Sequence, residues 1–447
     1  AASDVYKRQV LHRSHRCASQ PLGQRPSAAT ARQYAARAWL VLPEGGAHQR
    51  PPLHCDPLPV RWPRPYLSPM PTHPPIYLDH AATTPVRPEV LDAMLPYFGA
   101  GAFGNPSSAH RFGRAARAGL EQARREVAQA VGVEPGEVVF TSGGTEADNH
   151  AVIGGCMAAQ VRGEPMLAAV SAVEHKAVLA AAHHVVRLGG EELILPVLPS
   201  GLLDLDALDA ALARKPSVVS VMWVNNETGV VQPMAAIADR CCDAKVLLHT
   251  DAVQAFGKIP VSFVDFPCTL ASLSGHKIGA PKGIGTLICR DRKAVEAMIH
   301  GGGQQFGIRP GTENVAGAVA MGRAATLAVA ELAAHAAHLL HLRQELTERL
   351  RAVIPDLVVH GEHSPRAPHV LNVGVPGADS EAMLMHLDLA GVSASGGSAC
   401  STGAMEPSHV LTAMGVPREL ALGSVRLSLG HETTEAEIAR AAEIFPV

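Results

Sequence analysis

The sequence predicts an α/β fold with a mostly parallel sheet. From Ile76 onward, short runs rich in β-branched residues alternate with longer runs rich in Ala, Leu, Glu and Arg. This alternation is typical of parallel strands joined by crossover helices. The predicted strands are Val138 to Thr141, Met166 to Ser171, Leu193 to Val197, Val218 to Val224, Val246 to His249 and Gly285 to Cys289. Ligands of such sheets bind beyond the carboxyl ends of the strands, so we expect the chemistry in the loops that follow them.

The composition predicts a globular chain with two folded domains. Its 447 residues include 47% hydrophobic residues, which is enough for a large core. We predict a large domain over residues 76–325 and a smaller C-terminal α/β domain over residues 326–447. Residues 76–96 are expected to pack with one of these domains or to bridge both.

Residues 1–70 differ from the rest of the chain, because they are rich in Arg and Pro and show no sustained periodicity. Upstream sequence read in frame, an organelle transit segment and a disordered tail are three interpretations of this extension. We favour the first, because scattered prolines would break the amphipathic helix of a transit peptide. Met70 is then the predicted natural start.

The charge balance gives no reason to expect a nucleic acid or a membrane as a partner. The net charge is −3, and Ala316 to Leu340 is predicted as an amphipathic packing helix because charged residues and histidines interrupt it. The eight cysteines lack the spacing of a zinc site or a disulfide scaffold, which favours a reducing, cytoplasmic compartment. The 23 histidines include no ligand-spaced set, so no resident metal is predicted.

Lys277 and Asp251 are the first candidates for chemistry. Each lies beside the predicted end of a strand, and small residues surround the lysine. A lysine amine can form a Schiff base with the aldehyde of pyridoxal phosphate, and a carboxylate can pair with its pyridinium nitrogen. The pair therefore suggests a pyridoxal phosphate enzyme, although a solvated lysine is the more common interpretation of Gly-His-Lys alone.

The run from Phe140 to Asn149 follows a short strand and opens a helix. Its free amides, together with the hydroxyl of Thr145, would hold a phosphate. An ordinary turn with a threonine cap is the alternative interpretation. The run has neither the Gly-Lys-Ser/Thr of a Walker loop nor the Gly-x-Gly-x-x-Gly of a dinucleotide site, which disfavours ATP and NAD.

Seven motifs together resemble the cysteine desulfurases of the NifS/IscS type, which are fold-type I pyridoxal phosphate enzymes of the class V aminotransferase group. The resemblance runs from about Ile76 to the end of the chain. Its motifs are Tyr77 to Pro85, Thr141 to Glu146, Val173 to Lys176, Asn225 to Gly229, Asp251 to Gln254, Ser274 to Lys277 and Gly397 to Cys400.

The resemblance implies a role for each matching residue around the cofactor. Lys277 would bind pyridoxal phosphate and move the substrate α-proton, and Asp251 and Gln254 would contact the ring nitrogen and the ring hydroxyl. The residues implied in phosphate binding are Gly144, Thr145, Ser274, His276 and Thr312. Thr312 would act from the partner subunit, which implies a homodimer.

Three further residues are implied to contact the ring or the substrate. His175 resembles the histidine that stacks on the cofactor and assists proton transfer, although its position before a helix also suits a capping residue. Asn225 and Arg426 resemble the residues that hold the substrate carboxylate, which a guanidinium can bind through two parallel hydrogen bonds.

Cys400 determines the implied reaction. It lies among small residues, where an exposed thiol is expected, whereas Cys156, Cys268 and Cys289 lie in runs that suggest buried, inert thiols. The resemblance implies that L-cysteine becomes L-alanine while Cys400 receives the sulfur as a persulfide. The sulfur would pass to an iron–sulfur scaffold or another acceptor protein, and Cys400 could transiently ligate a cluster shared with that scaffold. The surrounding sequence resembles the long-loop class I form.

Two alternative functions remain open, and one feature of the sequence differs from the family that it resembles. A selenocysteine lyase or an aminotransferase of the same family is the nearest alternative, and a non-enzymatic sulfur carrier is the more distant one. The chain ends at Val447, where relatives continue the last helix, so we expect scaffold docking to be weakened if that tail is missing.

Overall fold

The computed structural model describes residues 74–264, 270–396 and 406–445. These residues belong to one compact unit of the chain, Pro69–Val447. The predicted extension over residues 1–70, with Met70, lies outside the described residues, as do Cys268 and Cys400.

A seven-stranded sheet forms the centre of the molecule. Its strands are β2 (Val138–Thr141), β3 (Leu167–Ser171), β4 (Glu191–Leu195), β5 (Val218–Ser220), β6 (Leu248–Asp251), β7 (Leu270–Ser274) and β8 (Gly285–Cys289). They lie in the order β2-β8-β7-β6-β5-β3-β4, and only β8 runs antiparallel to its neighbours. The predicted α/β class with a mostly parallel sheet is therefore confirmed.

The strand register brings several chain turns to one edge of this sheet. Asp251 and Ser274 end the adjacent parallel strands β6 and β7. Gly285 begins β8 and pairs with both Ser274 and Thr141. Because β8 runs in the opposite direction, its first residue lies at the same edge as the carboxyl ends of β2 and β7. Strand β5 ends at Ser220, four residues earlier than predicted, although the N–H groups of Val221 and Trp223 still donate to the carbonyls of His249 and Asp251.

Helices cover the sheet and continue into the C-terminal part. They are α1 (Pro88–Met94), α2 (Arg111–Val131), α3 (Gly144–Asn149), α4 (Gly155–Val161), α5 (Lys176–Arg187), α6 (Leu205–Leu212), α7 (Met234–Ala244), α8 (Val315–Ala330), α9 (Leu332–Val353), α10 (Ser380–Leu389), α11 (His409–Ala413), α12 (Arg418–Leu422) and α13 (Glu435–Ile444). A π-helical turn, His150–Gly154, joins α3 to α4. Local sequence sets several ends: Gly132 closes α2 in the left-handed region, and Thr434 with Glu437 forms a capping box before α13.

The described residues contain two large hydrophobic cores. The first lies around the seven-stranded sheet and includes Leu120 and Val127 of α2. The second lies around an antiparallel sheet of β9 (Val358–Val359), β10 (Val370–Gly374) and β12 (Ser424–Ser428). Helix α9 packs on it through leucines spaced three or four residues apart, as an amphipathic helix requires: Leu339, Leu342, Leu346 and Leu350. The predicted boundary after residue 325 stays a prediction.

The first described residues contribute to both cores. Strand β1 (Ile76–Tyr77) pairs in parallel with β11 (Val392–Ser393), and Ile76 is buried in the second core. Val90 and Met94 of α1 are buried in the first core. This segment thus contributes residues to both cores, and its assignment to a domain stays a prediction.

The predicted single helix from Ala316 to Leu340 is in fact two helices. Helices α8 and α9 meet at Glu331 with a bend of 71°. No single helix among the described residues is long and apolar enough to cross a membrane, and only this bent pair passes that test together, by length and composition alone.

Candidate active site

A cavity of about 430 Å³ opens at the edge of the sheet where β6 and β7 end. Nine of the predicted site residues line it: Gly144, Thr145, His175, Asp251, Gln254, Ser274, His276, Lys277 and Arg426. Asn225 and Thr312 do not line the cavity, and Thr312 is exposed in the single chain. Cys400 lies outside the described residues.

Lys277 lies in a short 3₁₀ turn directly after β7. Its Nζ donates hydrogen bonds to the carbonyl oxygens of Ala81, at 2.5 Å, and Ala82, at 2.7 Å. Burial, with the nearby charge of Arg426 as a smaller cause, lowers the pKa of Lys277 to about 8. A larger fraction of the amine is therefore neutral near physiological pH, which is the form that attacks an aldehyde.

Asp251 ends β6 and is 5% exposed. Its Oδ1 accepts a hydrogen bond from the backbone N–H of Val253 at 2.9 Å. Burial raises the pKa of Asp251, while that hydrogen bond and the neighbouring His175 and Lys277 act in the opposite direction. A cation placed against this carboxylate would therefore be strongly favoured, because the buried charge has no ion-pair partner among the described residues.

The part of the cavity around Gly144 and Ser274 suits a phosphate. Helix α3 begins there at Gly144, where an added Cβ would lie 3.0 Å from Val253. The buried hydroxyl of Ser274 has no hydrogen-bond partner among the described residues. Gly285 allows the loop before α3 to approach, because a Cβ on it would lie 2.6 Å from the backbone of Gly143. Free helix amides and an unpartnered hydroxyl are the donors that a phosphate uses.

His276 and the loop near Thr312 lie around this part of the cavity. The His276 Nδ1 is 3.2 Å from the Thr83 hydroxyl, and burial lowers the pKa of His276 to about 4, so the ring is neutral. Arg309 pairs with Glu146 of α3 at 2.7 Å, which holds the loop that carries Thr312 beside the start of that helix.

His175 caps a helix and also lines the cavity, while its role in stacking on the cofactor stays a prediction. Its Nδ1 accepts a hydrogen bond from the backbone N–H of Ala177 at 3.1 Å and so caps α5. The same ring lines the cavity. Loss of solvent contact lowers the pKa of His175. The helix cap uses Nδ1 and not Nε2. The ring can therefore exchange a proton at Nε2 while the hydrogen bond at Nδ1 holds it in place.

Arg426 lies on β12 and is almost completely buried. Its guanidinium donates to Asp79 Oδ1 at 2.7 Å and to the backbone carbonyl of Asn226 at 3.1 Å. The Nε–H has no partner among the described residues. Several of the five donors thus remain for a substrate carboxylate.

Asn225 does not line the cavity, and its predicted contact with the substrate stays a prediction. Its side-chain oxygen accepts hydrogen bonds from Glu227 and Thr228, and its amide donates to the carbonyl of Val173. The residue therefore fixes the turn, and the next residue, Asn226, lines the cavity instead. No sequence pattern distinguishes two adjacent asparagines.

Two buried acids near Asp251 were not predicted. Asp148 lines the cavity one helical turn after Gly144, and burial raises its pKa well above the ordinary range. Glu174 accepts hydrogen bonds from the Ser171 hydroxyl and the Met222 N–H, and burial raises its pKa to about 8. Both acids therefore tend to stay protonated, which leaves Asp251 as the favoured position for negative charge. The i, i+4 spacing of Gly144 and Asp148 could have indicated the first of them.

The chain that carries Cys400 leaves and re-enters the described structure at this cavity. Ser395 and His409, on either side of it, both line the cavity. Ser395 is bridged to Arg426 through two backbone hydrogen bonds of 3.1 and 2.7 Å. Ser408 donates a short hydrogen bond to Glu227, and His409 Nε2 donates to the carbonyl of Glu174 at 2.9 Å. Cys400 is five positions after Ser395, so the extended chain spans at most ~18 Å between them.

The described cysteines separate into buried and exposed thiols. Cys156 and Cys289 are 1% exposed or less, and burial raises the pKa of each thiol to about 12. Their predicted inert character is consistent with this, since the thiolate is the reactive form. Cys241 is buried in the same way, whereas Cys242 is exposed.

The residues of the cavity fit pyridoxal phosphate. An amine with a lowered pKa, a buried carboxylate and a phosphate cradle with an unpartnered hydroxyl surround one space. Gln254 also lines it, and its amide uses one N–H for the carbonyl of Ala81, which leaves a second N–H for the ring hydroxyl.

Comparison with known proteins agrees with this site. The class-V aminotransferase family model matches residues 76–441. A cysteine desulfurase of Cereibacter sphaeroides is 45% identical over 373 residues, which are 83% of this chain and 95% of that protein. The cysteine desulfurase IscS of Dictyoglomus turgidum is 42% identical over 81% of this chain and 91% of its own. A solved NifS-like protein is 33% identical, with a TM-score of 0.77 over 83% of this chain and 97% of its own.

The chain therefore belongs to the class-V aminotransferase family and, within it, to the cysteine desulfurases.

Proposed function

We propose that this enzyme uses pyridoxal phosphate to convert L-cysteine to L-alanine and holds the released sulfur as a persulfide on Cys400. The observation that carries the proposal is the single cavity in which Lys277, Asp251 and Arg426 meet, and at which the Cys400 segment begins and ends. A plain aminotransferase would need the first three residues but no thiol beside them.

Lys277 is the base of the proposed reaction. Pyridoxal phosphate, when bound, supplies an electron sink for the bond that breaks at the substrate. Asp251, whose charge is favoured over that of Asp148 and Glu174, would hold the ring nitrogen protonated. Lys277 would take the α-proton of the substrate, because burial lowers the pKa of its amine to about 8.

Arg426 would orient the substrate. Its Nε–H is buried and without a partner among the described residues, and its Asp79 contact holds the guanidinium plane. A substrate carboxylate bound there would satisfy the buried N–H, in the same cavity that His175 and Lys277 line. Asn226, which replaces Asn225 in the lining, contributes a second polar contact.

The sulfur step conserves all atoms between substrate and enzyme. The Cys400 thiolate attacks the sulfur of the bound cysteine, so that an S–S bond forms as the Cβ–S bond breaks. The electron pair of that bond goes to the substrate carbon, which takes up a proton and leaves as alanine. Cysteine and the enzyme thiol therefore yield alanine and an enzyme persulfide without any external oxidant.

The oligomeric state of the enzyme and the destination of the sulfur are part of the same proposal. Thr312 is exposed and is held beside α3 by the Arg309–Glu146 pair, which suits a contact with a second copy of the chain. We therefore propose a homodimer in which Thr312 reaches the partner's phosphate site. An acceptor thiol of an iron–sulfur scaffold or another sulfur-accepting protein, in the cytoplasm, would take up the persulfide sulfur.

The test measures alanine and sulfide released from L-cysteine by the cofactor-loaded enzyme with added thiol reductant. Equimolar alanine and sulfide are expected from the wild type, and Cys400→Ser should release neither. Cys242→Ser is the matched control, because Cys242 is exposed, does not line the cavity and should be dispensable. Unchanged sulfide release by Cys400→Ser would contradict the proposal, and release of alanine from L-selenocysteine alone would favour the lyase alternative.

A further inference from the structure

A second cavity, of about 460 Å³, adjoins the active site. It is lined by the segment before α1, the turn at Gly257, the middle of the α8–α9 bend and the loop after β12. Among the described residues, Lys277 alone lines both cavities. None of the functions proposed above uses the remaining residues of this second cavity.

Lys258 is the distinctive residue of the second cavity. It is 8% exposed, and no residue in the described ranges accepts a hydrogen bond from its ammonium or pairs with it. Burial alone lowers its pKa to about 8, with no nearby acid acting against that shift. Buried cations in proteins are normally paired, because an unpaired one is costly.

The other titratable groups of the cavity do not balance this charge. Arg87 forms ion pairs with Glu331, at 2.6 Å, and with Glu89, at 3.1 Å. His431 contacts Glu331 as well, at 3.2 Å. Lys277 also lines the cavity, and its ammonium donates hydrogen bonds to the carbonyl oxygens of Ala81 and Ala82. The remaining lining groups are two neutral histidines and one solvated acid. They are His80 and His335, whose pKa values burial lowers to about 4 and about 3, and the exposed Glu432.

The polarity of the cavity walls limits the charge of the ligand that this cavity can bind. Val86, Ile278 and Ala328 contribute apolar surface, and the Nδ1 of the buried His80 has no hydrogen-bond partner among the described residues. A single unpaired ammonium matches one negative charge, whereas a dianion would leave a second charge uncompensated in an apolar space. The cavity volume falls in the range of sites for small organic molecules.

We propose that the second cavity binds a small organic monocarboxylate, with its carboxylate against Lys258 and its apolar body against Val86, Ile278 and Ala328. This site is distinct from the substrate clamp, because Arg426 does not line the second cavity. It goes beyond the desulfurase function and gives the enzyme a second, non-catalytic ligand site next to the catalytic lysine.

Calorimetric titration of the cofactor-loaded enzyme with benzoate tests this site. Benzoate should bind to the wild type, and benzamide, which lacks the charge, should bind about tenfold more weakly or not at all. Lys258→Met should lose benzoate affinity by about tenfold or more, whereas Arg426→Gln should keep it. Wild-type affinity in Lys258→Met, no benzoate binding to the wild type, or a loss that follows Arg426→Gln would each overturn the proposal.

Two further measurements separate binding from folding. Lys258→Met should melt at or above the temperature of the wild type, because it removes an unpaired buried charge and keeps the length of the side chain. A clearly lower melting temperature would mean that Lys258 stabilises the fold, and the proposal would fail. Ala328→Phe fills the cavity while Lys258 stays in place, and it should also abolish benzoate binding; retained binding would place the ligand elsewhere.

Discussion

The pKa of Lys277 sets how readily the apoenzyme captures its cofactor. A free lysine amine has a pKa of 10.5, and burial with the Arg426 charge lowers it to about 8 in the cavity. At pH 7 the neutral, nucleophilic fraction of the amine therefore rises by a factor of roughly 10²·⁵, or about 300. Cofactor capture at neutral pH should be faster by a similar factor than a solvent-exposed lysine with a pKa of 10.5 would allow.

The assay is the rate of pyridoxal phosphate capture by apoenzyme between pH 6 and pH 10, followed by cofactor absorbance. We expect the rate to rise with a midpoint near pH 8. Arg426→Gln should move this midpoint upward and Asp251→Asn downward, because these charges respectively lower and raise the pKa of Lys277. A lysine-containing peptide, run in parallel, corrects for the ionisation of the cofactor. A wild-type midpoint near 10.5 would refute the reasoning.

Three other predictions test separate parts of the site. Asp251→Asn should lower the turnover number for sulfide release by roughly 100-fold or more at full cofactor occupancy, and an unchanged value would argue against ring pairing. Arg426→Lys should raise KM for L-cysteine by about tenfold, because one ammonium replaces a two-bond clamp; the measurement is steady-state kinetics, and an unchanged KM would contradict the clamp. Glu174, whose pKa burial raises from 4.5 to about 8, binds more protons in the folded state. The protonated carboxyl therefore contributes fully to the free energy of unfolding below pH 4.5, and this contribution is lost as pH rises to 8. The free energy of unfolding of the wild type in urea should thus fall between pH 5 and pH 8.5, and Glu174→Gln should reduce that fall by a few kcal/mol. An equally steep fall in the variant would contradict the raised pKa.

The sheet and much of the site could be predicted from the sequence because strand ends are locally encoded. The run from Val246 to His249 identifies β6, whereas β7, Leu270–Ser274, contains no β-branched residue and was indicated only by the motif that follows it. Parallel pairing then brings both ends to one edge, where the cavity is found. Such predictions need only the periodicity of the sequence and the rule that ligands of parallel sheets bind beyond the carboxyl ends of the strands.

Tertiary hydrogen bonding could not be predicted in the same way. Asn225 and Asn226 are identical side chains one position apart, and only the turn geometry gives the first to the backbone and the second to the cavity. The break at Glu331 has a similar origin. Glu331 pairs with Arg87, about 240 residues earlier, and the helical pattern on either side contains no signal for that contact.

The most direct test of the central claim is the site of the sulfur after one turnover. The cofactor-loaded enzyme would be mixed with L-cysteine without reductant, alkylated and digested, and each cysteine peptide would be examined by mass spectrometry. We predict one added sulfur atom on the peptide that contains Cys400 and none on the peptide that contains the exposed Cys242. Alanine release with no added sulfur on Cys400, or with the sulfur on Cys242, would contradict the account.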